Sequence, residues 1–447
     1  MKVKSRKGSV PVFLCSILMV SMLVLSVLVE SASVAVGKNY AAGVLDLGSR
    51  SVLSEYDCHL KEDFGLFGLW MDKQTAEKKL GMYIRKTMEV PRGNTDLLSM
   101  QLESVNIDFG QYALSNPDIA EAQILESMKY EIGEKAILDA ADLIGRPGTL
   151  EACTERPSSP QGSRKKELRI LKNHRLIESL PSEILGDNPS PLGAPKGFDA
   201  KNLAEKAKND VILNLYILRF FRNKMESGWA EGTFFFNEVE YVLCGQKSDE
   251  TNEAITTAAL MAARSAMDLS HIYGDAKKRE AVLAAGALIA PGAGAVPMSV
   301  LVALAWAGAE AANDVSRLFK SERVPLLKTE QDWMMDLDSI LEKKEGGQTG
   351  LRGGKRNVEK EPICSKFKEG LTYEDYLFLL LFCVERETKI LRIMDLIQID
   401  MKGRYYEDFL LSDCYGGFDV SCSFLKKESI LPFPLQRREE LRACHVY

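Results

Sequence analysis

Residues 8–29 read Gly-Ser-Val-Pro-Val-Phe-Leu-Cys-Ser-Ile-Leu-Met-Val-Ser-Met-Leu-Val-Leu-Ser-Val-Leu-Val, 22 positions without a charge. At about 1.5 Å per residue, a helix over this run spans roughly 33 Å, against a hydrocarbon core of about 30 Å. A cleavable signal peptide has a shorter apolar region, about 7 to 15 residues. The only small-residue cleavage site here is the weak Ser31-Ala32-Ser33. The reading is therefore a retained transmembrane anchor over residues 8–30. Lys2, Lys4, Arg6 and Lys7 precede it in a basic tail, residues 1–7, and the next basic residue is Lys38. That asymmetry places the N-terminus in the cytoplasm and the rest of the chain outside the cell membrane.

Beyond the anchor, Leu45, Val52, Leu53, Tyr56, Leu60 and Phe64 recur at steps of three, four or seven, apart from the adjacent pair Val52 and Leu53. This is the spacing of an amphipathic helix, so a helical stem is expected across residues 31–150, its first part ending near Gly65 or Gly68. Asn116-Pro117-Asp118 marks a further helix start, with an apolar stripe Ile124, Met128, Ile132 and Leu138. Residues 151–199 contain two stretches, 153–166 and 181–197, dense in Pro, Ser, Gly and charge, and read as a linker region.

Residues 200–447 read as one outer α+β domain, predominantly helical. Val211, Leu215 and Leu218 mark a helix. Val239, Tyr241 and Leu243 alternate with Glu238, Glu240 and Val242 as a short strand, and Phe418, Val420, Cys422 and Phe424 alternate as another. Both strands are expected in one small antiparallel sheet, the second after a hairpin turn at Gly416-Gly417. Thr372 and Asp375 form a capping box opening a helix through Leu377, Leu380, Val384, Leu391 and Met394. The insert at residues 343–362, rich in Gly and Lys, is expected to be a mobile loop.

A second uncharged run, Ala281 to Ala309, is interrupted by Pro291-Gly292-Ala293-Gly294 and Pro297. The two pieces, about ten and twelve residues, are each too short to cross a bilayer, so a pair of short helices inside the domain is expected. Small residues there let the backbones approach.

Chemistry is sparse in the sequence. The chain has 447 residues, a formal charge of −6 and a pI near 5.6, which excludes a domain-wide positive field and argues against nucleic acid as a partner. Basic clusters at Arg164-Lys165-Lys166 and Arg352 to Arg356 lie in loop-like stretches. The four histidines, His59, His174, His271 and His445, show no metal-ligand spacing and read as structural or surface residues. Ser-x-x-Lys occurs at Ser163/Lys166, Ser365/Lys368 and Ser423/Lys426, about as often as chance gives, and none begins an expected helix. Gly353-Gly354-Lys355 departs from a phosphate loop at Thr349 and Arg356, and Gly292-Ala293-Gly294 departs from the dinucleotide fingerprint at Pro297. Glu310 is either a buried acid or, as expected from its helical spacing, meets water or pairs with Arg317. Nine cysteines, an odd number with Cys15 inside the anchor, read as free and mostly buried thiols. In the expected hairpin, Cys414 lies across from Asp419 and Cys422 from Leu411. No catalytic, cofactor-binding or metal residue is assigned, and no cofactor is expected.

Several segments resemble a known family. They are Gly8-Ser-Val-Pro-Val-Phe-Leu through Glu30-Ser-Ala-Ser, Leu53-Ser-Glu-Tyr-Asp, Asp63-Phe-Gly-Leu-Phe-Gly-Leu, Phe236-Asn-Glu-Val-Glu-Tyr, His271-Ile-Tyr-Gly-Asp, Leu304-Ala-Trp-Ala-Gly-Ala-Glu-Ala, Val324-Pro-Leu-Leu-Lys and Tyr373-Glu-Asp-Tyr-Leu. They are similar to domain-of-unknown-function family 5702 of Gram-positive bacteria. The resemblance implies association with tight-adherence (Tad-like) pilus and secretion clusters, and no assigned active site. The N-terminus also resembles pilins, but Phe13 stands where they place Glu. Two functions follow as expectations. One is a non-enzymatic component of an envelope assembly, touching lipid through residues 8–30 and acting through protein contacts. The alternative is an anchored extracellular enzyme whose site is scattered through the sequence.

Overall fold

A computed structural model describes residues 9–89, 100–132, 174–186, 203–226, 234–343, 349–351, 370–426 and 437–447. The helices used below are α1 (Ser9–Leu53), α2 (Cys58–Phe64), α3 (Lys73–Met88), α4 (Pro117–Ile132), α5 (Leu203–Phe220), α6 (Glu238–Cys244), α7 (Asp249–Gly274), α8 (Ala276–Ile289), α9 (Ala295–Leu318), α10 (Tyr373–Leu381) and α11 (Arg386–Arg404). The strands are β1 (Leu69–Trp70), β2 (Met100–Asp108), β3 (Leu341–Lys343), β4 (Thr349–Leu351), β5 (Cys414–Tyr415), β6 (Gly417–Lys426) and β7 (Arg437–Val446). The protein is α+β and mostly helical, with a long apolar N-terminal helix and small antiparallel sheets.

The chain divides into two units. The first comprises Met1–Lys61, Leu66–Ile119 and Leu410–Tyr447, and the second Glu62–Gly65 with Ala120–Phe409.

In the first unit, α1 runs unbroken for 45 residues because nothing from Ser9 to Leu53 interrupts it except Pro11, which sits in its first turn where no N–H is needed. Its apolar first part is exposed on all sides, and the segment Pro11–Leu53 is long and apolar enough to cross a membrane. Its last part is core. Ala41, Val44, Leu45, Val52 and Leu53 are buried with Leu80 and Ile84 of α3 and with Phe418, Val420, Cys422 and Phe424 of β6. Fully burying each of the large side chains contributes roughly 1.5–3 kcal/mol. The sheet beneath runs in the order β2-β6-β7, all antiparallel, with Val105 and Leu441 on either side of Cys422. The junction between bare helix and folded unit is polar. Lys426, almost fully buried, donates to Glu30 at 3.0 Å and to Ser33 Oγ at 2.9 Å.

Three expectations change here. The stem region is not wholly helical: α1 ends at Leu53, α2 follows, and β1, α3 and β2 come next. Its stripe is not free either, since Leu53 is core and Tyr56 packs edge-on against Phe67 and Tyr447. Gly416-Gly417 does not turn a hairpin. β5 pairs with β1, so Cys414 lies opposite Trp70, while Asp419 lies opposite Cys444. The C-terminal strands therefore belong to the unit that contains α1, whereas the linker-rich stretches suggested one domain over residues 200–447. Of the described thiols, Cys244, Cys414 and Cys422 are buried and Cys15, Cys58 and Cys444 are exposed.

In the second unit, residues 238–243 are helical, not extended. Every residue of α6 is buried, so the chain has no polar face from which a period could be read. The alternation arises because Glu238 and Glu240 turn to backbone donors, accepting from Arg222 N at 2.8 Å and Lys224 N at 3.1 Å. Gly245, with φ +69°, closes the helix against the Arg392 guanidinium, where a Cβ would come within 2.7 Å. Arg392 in turn donates to the carbonyls of Val242 and Leu243 at 2.9 Å. The capping box at Thr372 and Asp375 is present and opens α10, but the expected single helix breaks after Leu381 and resumes as α11.

The uncharged run forms the hairpin α8–α9. Asp275 separates α7 from α8 and caps the latter, accepting from Lys277 N at 2.9 Å. At the tip, Pro291 and Gly292 reverse the chain into a single 3-10 turn. Gly286 packs so closely that a Cβ there would come 2.6 Å from the Ala295 carbonyl and Ser299 nitrogen. Small residues thus permit the close approach read from the sequence. α9 is longer than expected, 24 residues, because it continues beyond the apolar run through Glu310, Asp314 and Arg317.

Of the linker region, only residues 174–186 are described, as a 3-10 turn His174–Ile177 and a short helix Pro181–Leu185. Of the insert, β3 and β4 pair as an antiparallel hairpin, and residues 344–348 and 352–362 lie outside the described residues. Leu138, the last position of the stripe read into α4, also lies outside them.

Candidate functional site

Where α7 crosses α9, charge is buried rather than solvated. Arg264, Asp268, Glu310 and Asp314 are each at most 1% exposed. The Arg264 guanidinium donates to Asp314 at 3.0 Å and Asp268 at 3.2 Å, to the Pro325 and Leu326 carbonyls at 3.1 and 3.0 Å, and to the Tyr376 hydroxyl at 3.1 Å. One side chain thereby ties together α7, α9, α10 and the segment Val324–Lys328. The Lys328 ammonium pairs with Glu310, reaches Asp314 at 2.8 Å and lies 3.9 Å from Asp268. Glu310 also accepts from the backbone nitrogens of Met334 at 3.1 Å and Met335 at 2.6 Å.

Glu310 is thus the buried acid, and it does not pair with Arg317. Arg317 binds Glu322 at 2.9 Å. The helical spacing that favoured a Glu310–Arg317 contact is overridden by Lys328, brought in from 18 residues away.

A cleft of about 520 Å³ opens beside this network, lined by Met267, Asp268, His271, Leu326, Leu327 and Lys328 among others. Asp268 Oδ2 and His271 Nε2 are buried and have no hydrogen-bond partner among the described residues. The His271 ring stacks on Trp333, centroids 5.4 Å apart, and the Lys278 ammonium lies 3.6 Å from the same indole. Burial pushes the Asp268 carboxyl up to about 7, helped by Asp314 and Glu310 and opposed by Lys328 and Arg264. Burial also lowers His271, with Lys278 adding to it, and brings Lys278 down to about 8. A carboxyl that changes protonation near neutrality beside a neutral imidazole can exchange a proton with, or hydrogen-bond, a polar group entering the cleft.

The sequence reading missed this site. Asp268 and His271 stand three residues apart on one helix, a spacing that places both on one face, but nothing local reveals Trp333 or Lys328 beside them. His59 lies in α2, His174 in a 3-10 turn and His445 in β7. Ser423 and Lys426 lie in β6, and the other two Ser-x-x-Lys pairs, like Gly353-Gly354-Lys355, lie outside the described residues. Gly292-Ala293-Gly294 forms the hairpin tip. Among the described residues, no group of three or more His, Cys, Asp or Glu is placed to hold a metal ion.

A second ionic network, half-buried, sits on α11. Arg404 joins Asp400 at 2.9 Å and Asp63 at 3.1 Å. Burial raises both Glu238 and Asp400 above the usual carboxylate range.

These features define a mostly helical α+β protein with one apolar N-terminal helix and a charge-cored second unit. The chain belongs to a family of unknown function (DUF5702), whose model matches residues 155–425. The match covers α5 to α11 with most of β6, and it leaves out α1 and the resembling segments between residues 8 and 69. No curated protein and no solved structure matches the chain. Two of the segments that carry the resemblance line the cleft, His271 to Asp275 and Val324 to Lys328, and a third, ending in Glu310 and Ala311, is tied to it through the Glu310–Lys328 pair.

Proposed function

We propose that this protein is a single-pass, membrane-anchored component of an envelope assembly, such as a pilus or secretion apparatus, acting through protein contacts on the outer side. The observation that carries the reading is α1: one continuous helix is bare and apolar over a bilayer's thickness and then becomes core of a folded unit. The lysines and arginine before it, absent after it until Lys38, support an outward orientation. Membership of the family leaves its role open, and the assembly role follows from the resemblance to pilus-associated proteins. The contact surface is not the stripe on the stem, which the unit's own α3 and sheet cover.

Full-length protein in cell membranes tests the reading. It should resist alkaline carbonate extraction, a reporter fused after Tyr447 should read outside, and cross-linking should join it to other envelope proteins. Release by carbonate or an inward reporter overturns it.

The cleft favours a second reading, an anchored enzyme using Asp268 and His271. Its support is the unpartnered Asp268 Oδ2 with a carboxyl poised near neutrality. Turnover of a peptide, glycan or phosphate ester by the purified protein, abolished in Asp268→Asn with the fold intact, would replace the first reading.

A further inference from the structure

We infer that the tip of the α8–α9 hairpin inserts into the acyl-chain boundary of a lipid bilayer, giving the second unit its own membrane contact. The inference rests on the reading of α1 as an anchor only in that α1 keeps the tip near a membrane.

From Ala281 to Ala309 the chain carries no charged residue in 29 positions. The pairings of Arg264 with Asp314 and of Ile272 in one cluster with Val302 and Ala303 run antiparallel, so residues 281–300 lie beyond the end of α7 at Gly274. One face of this hairpin is packed: Val282, Ala285, Val302, Ala303 and Trp306 form a core with Ile272 and Trp333. The other is bare. Leu288 is 63% and Val296 65% exposed, and Leu283, Val300, Leu301 and Leu304 are exposed beside them.

The chemistry of that face selects lipid over protein. Protein interfaces draw on Tyr, Trp, Arg and Met and carry a hydrogen-bonding rim. The side chains of the bare face are those of Leu, Val, Ala and Pro, and none is a donor or acceptor. A bilayer requires backbone and side-chain polar groups to be satisfied internally. Within α8 and α9 the helical backbone meets this, and Ser299, the one hydroxyl of the run, donates to the Val296 carbonyl at 2.7 Å. The helix ends at residues 290–294, which no side chain caps, keep polar groups that need water or headgroups, so the tip lies at the boundary and not deep in hydrocarbon. Tyr273, Lys277 and Arg279, all exposed, stand at the hairpin's base with Glu280. An aromatic ring and basic groups suit the headgroup level of an anionic membrane. From Arg279 to Leu288 a helix rises about 13 Å, enough for the apolar tip to reach the acyl-chain boundary. Gly292–Leu318 passes as a membrane span by length and composition, but Glu310, Asp314 and Arg317 are held in the protein core, which limits the hairpin to shallow insertion. Because α1 tethers the chain, even weak insertion is sustained by the high local lipid concentration.

A photoreactive diazirine amino acid placed singly at Leu288, Leu301, Leu18 or Glu250 in the full chain, reconstituted in phosphatidylglycerol–phosphatidylcholine vesicles, provides the test. Lipid adducts at Leu288 and Leu301 should exceed those at Glu250, at the far end of α7, by at least tenfold, and Leu301→Glu should remove the adduct at Leu288. Water products, or adducts to a second copy, at Leu288 and Leu301 overturn the inference while lipid adducts at Leu18 leave the anchor standing. Loss of lipid adducts at Leu18 alone overturns the anchor and leaves the hairpin.

Discussion

The two units solve burial in opposite ways. The core of the first is mostly apolar, with α1, α3 and β6 contributing aliphatic and aromatic side chains and the buried Lys426 set at its edge. The second buries Arg264, Arg317, Lys328, Lys389 and Arg392 with Asp268, Glu310, Asp314 and Asp400, all at or below 8% exposure. An apolar core tolerates rearrangement of similar shapes, whereas a charged one penalises any state in which one partner is missing. Stability is therefore distributed in the first unit and concentrated on a few pairs in the second.

The largest expected effect breaks that concentration. Glu310→Leu takes from Lys328 one of its two close carboxylates, Asp314 at 2.8 Å remaining, and leaves the Met334 and Met335 nitrogens without their acceptor, and should destabilise the second unit by about 3–5 kcal/mol. Hydrogen exchange should then accelerate in α9 and not in β6, and the double substitution Glu310→Leu with Lys328→Leu should cost less than the sum of the two single substitutions, because the lost pair is counted in both. Equal acceleration in both units would mean that they do not unfold separately. In the first unit, Leu80→Ala should cost roughly 2–5 kcal/mol, read as faster exchange in α3 and β6, and no second substitution at a single partner should restore it.

A pH comparison sharpens the contrast without removing side chains. Burial raises Asp268 to about 7, above the ordinary value of about 3.9. Its contribution is fully present below about pH 4 and is lost as pH rises through about 7. Relative to Asp268→Asn, wild-type stability by chemical denaturation should therefore fall between these limits and stay level above them. Glu55 of the first unit behaves oppositely. Burial raises its pKa, but hydrogen bonds from Lys79 and Tyr83 outweigh this and hold it low, so its contribution is lost as pH falls. The smallest effect is Thr372→Ala, which removes the cap of α10 and should cost about 0.5–2 kcal/mol in thermal or denaturant unfolding.

The sequence was most legible where one face or no face of an element meets water. α1 is uncharged over its bare length, β6 alternates because one side is covered, and the Thr372 cap is local chemistry. It was least legible where burial is complete. In α6 every side is covered, so periodicity vanishes and two glutamates imitate a strand. In α9 the buried Glu310 and Asp314 look like the polar end of a shorter helix, although they are held by Lys328 and Arg264 from distant segments. The cleft was invisible for the same reason: Asp268 and His271 are local neighbours, but their unusual surroundings come from Trp333 and Lys328, which only folding brings near.

α1 has a mechanical consequence. As the proposed anchor, a helix that leaves the bilayer without a glycine or proline joint and is clamped within one turn by Lys426 on Glu30 and Ser33 would behave as a rod fixed in a socket. A change in bilayer thickness that alters the tilt of the rod would turn the first unit through the same angle. Anything attached to that unit would register the state of the membrane as an orientation.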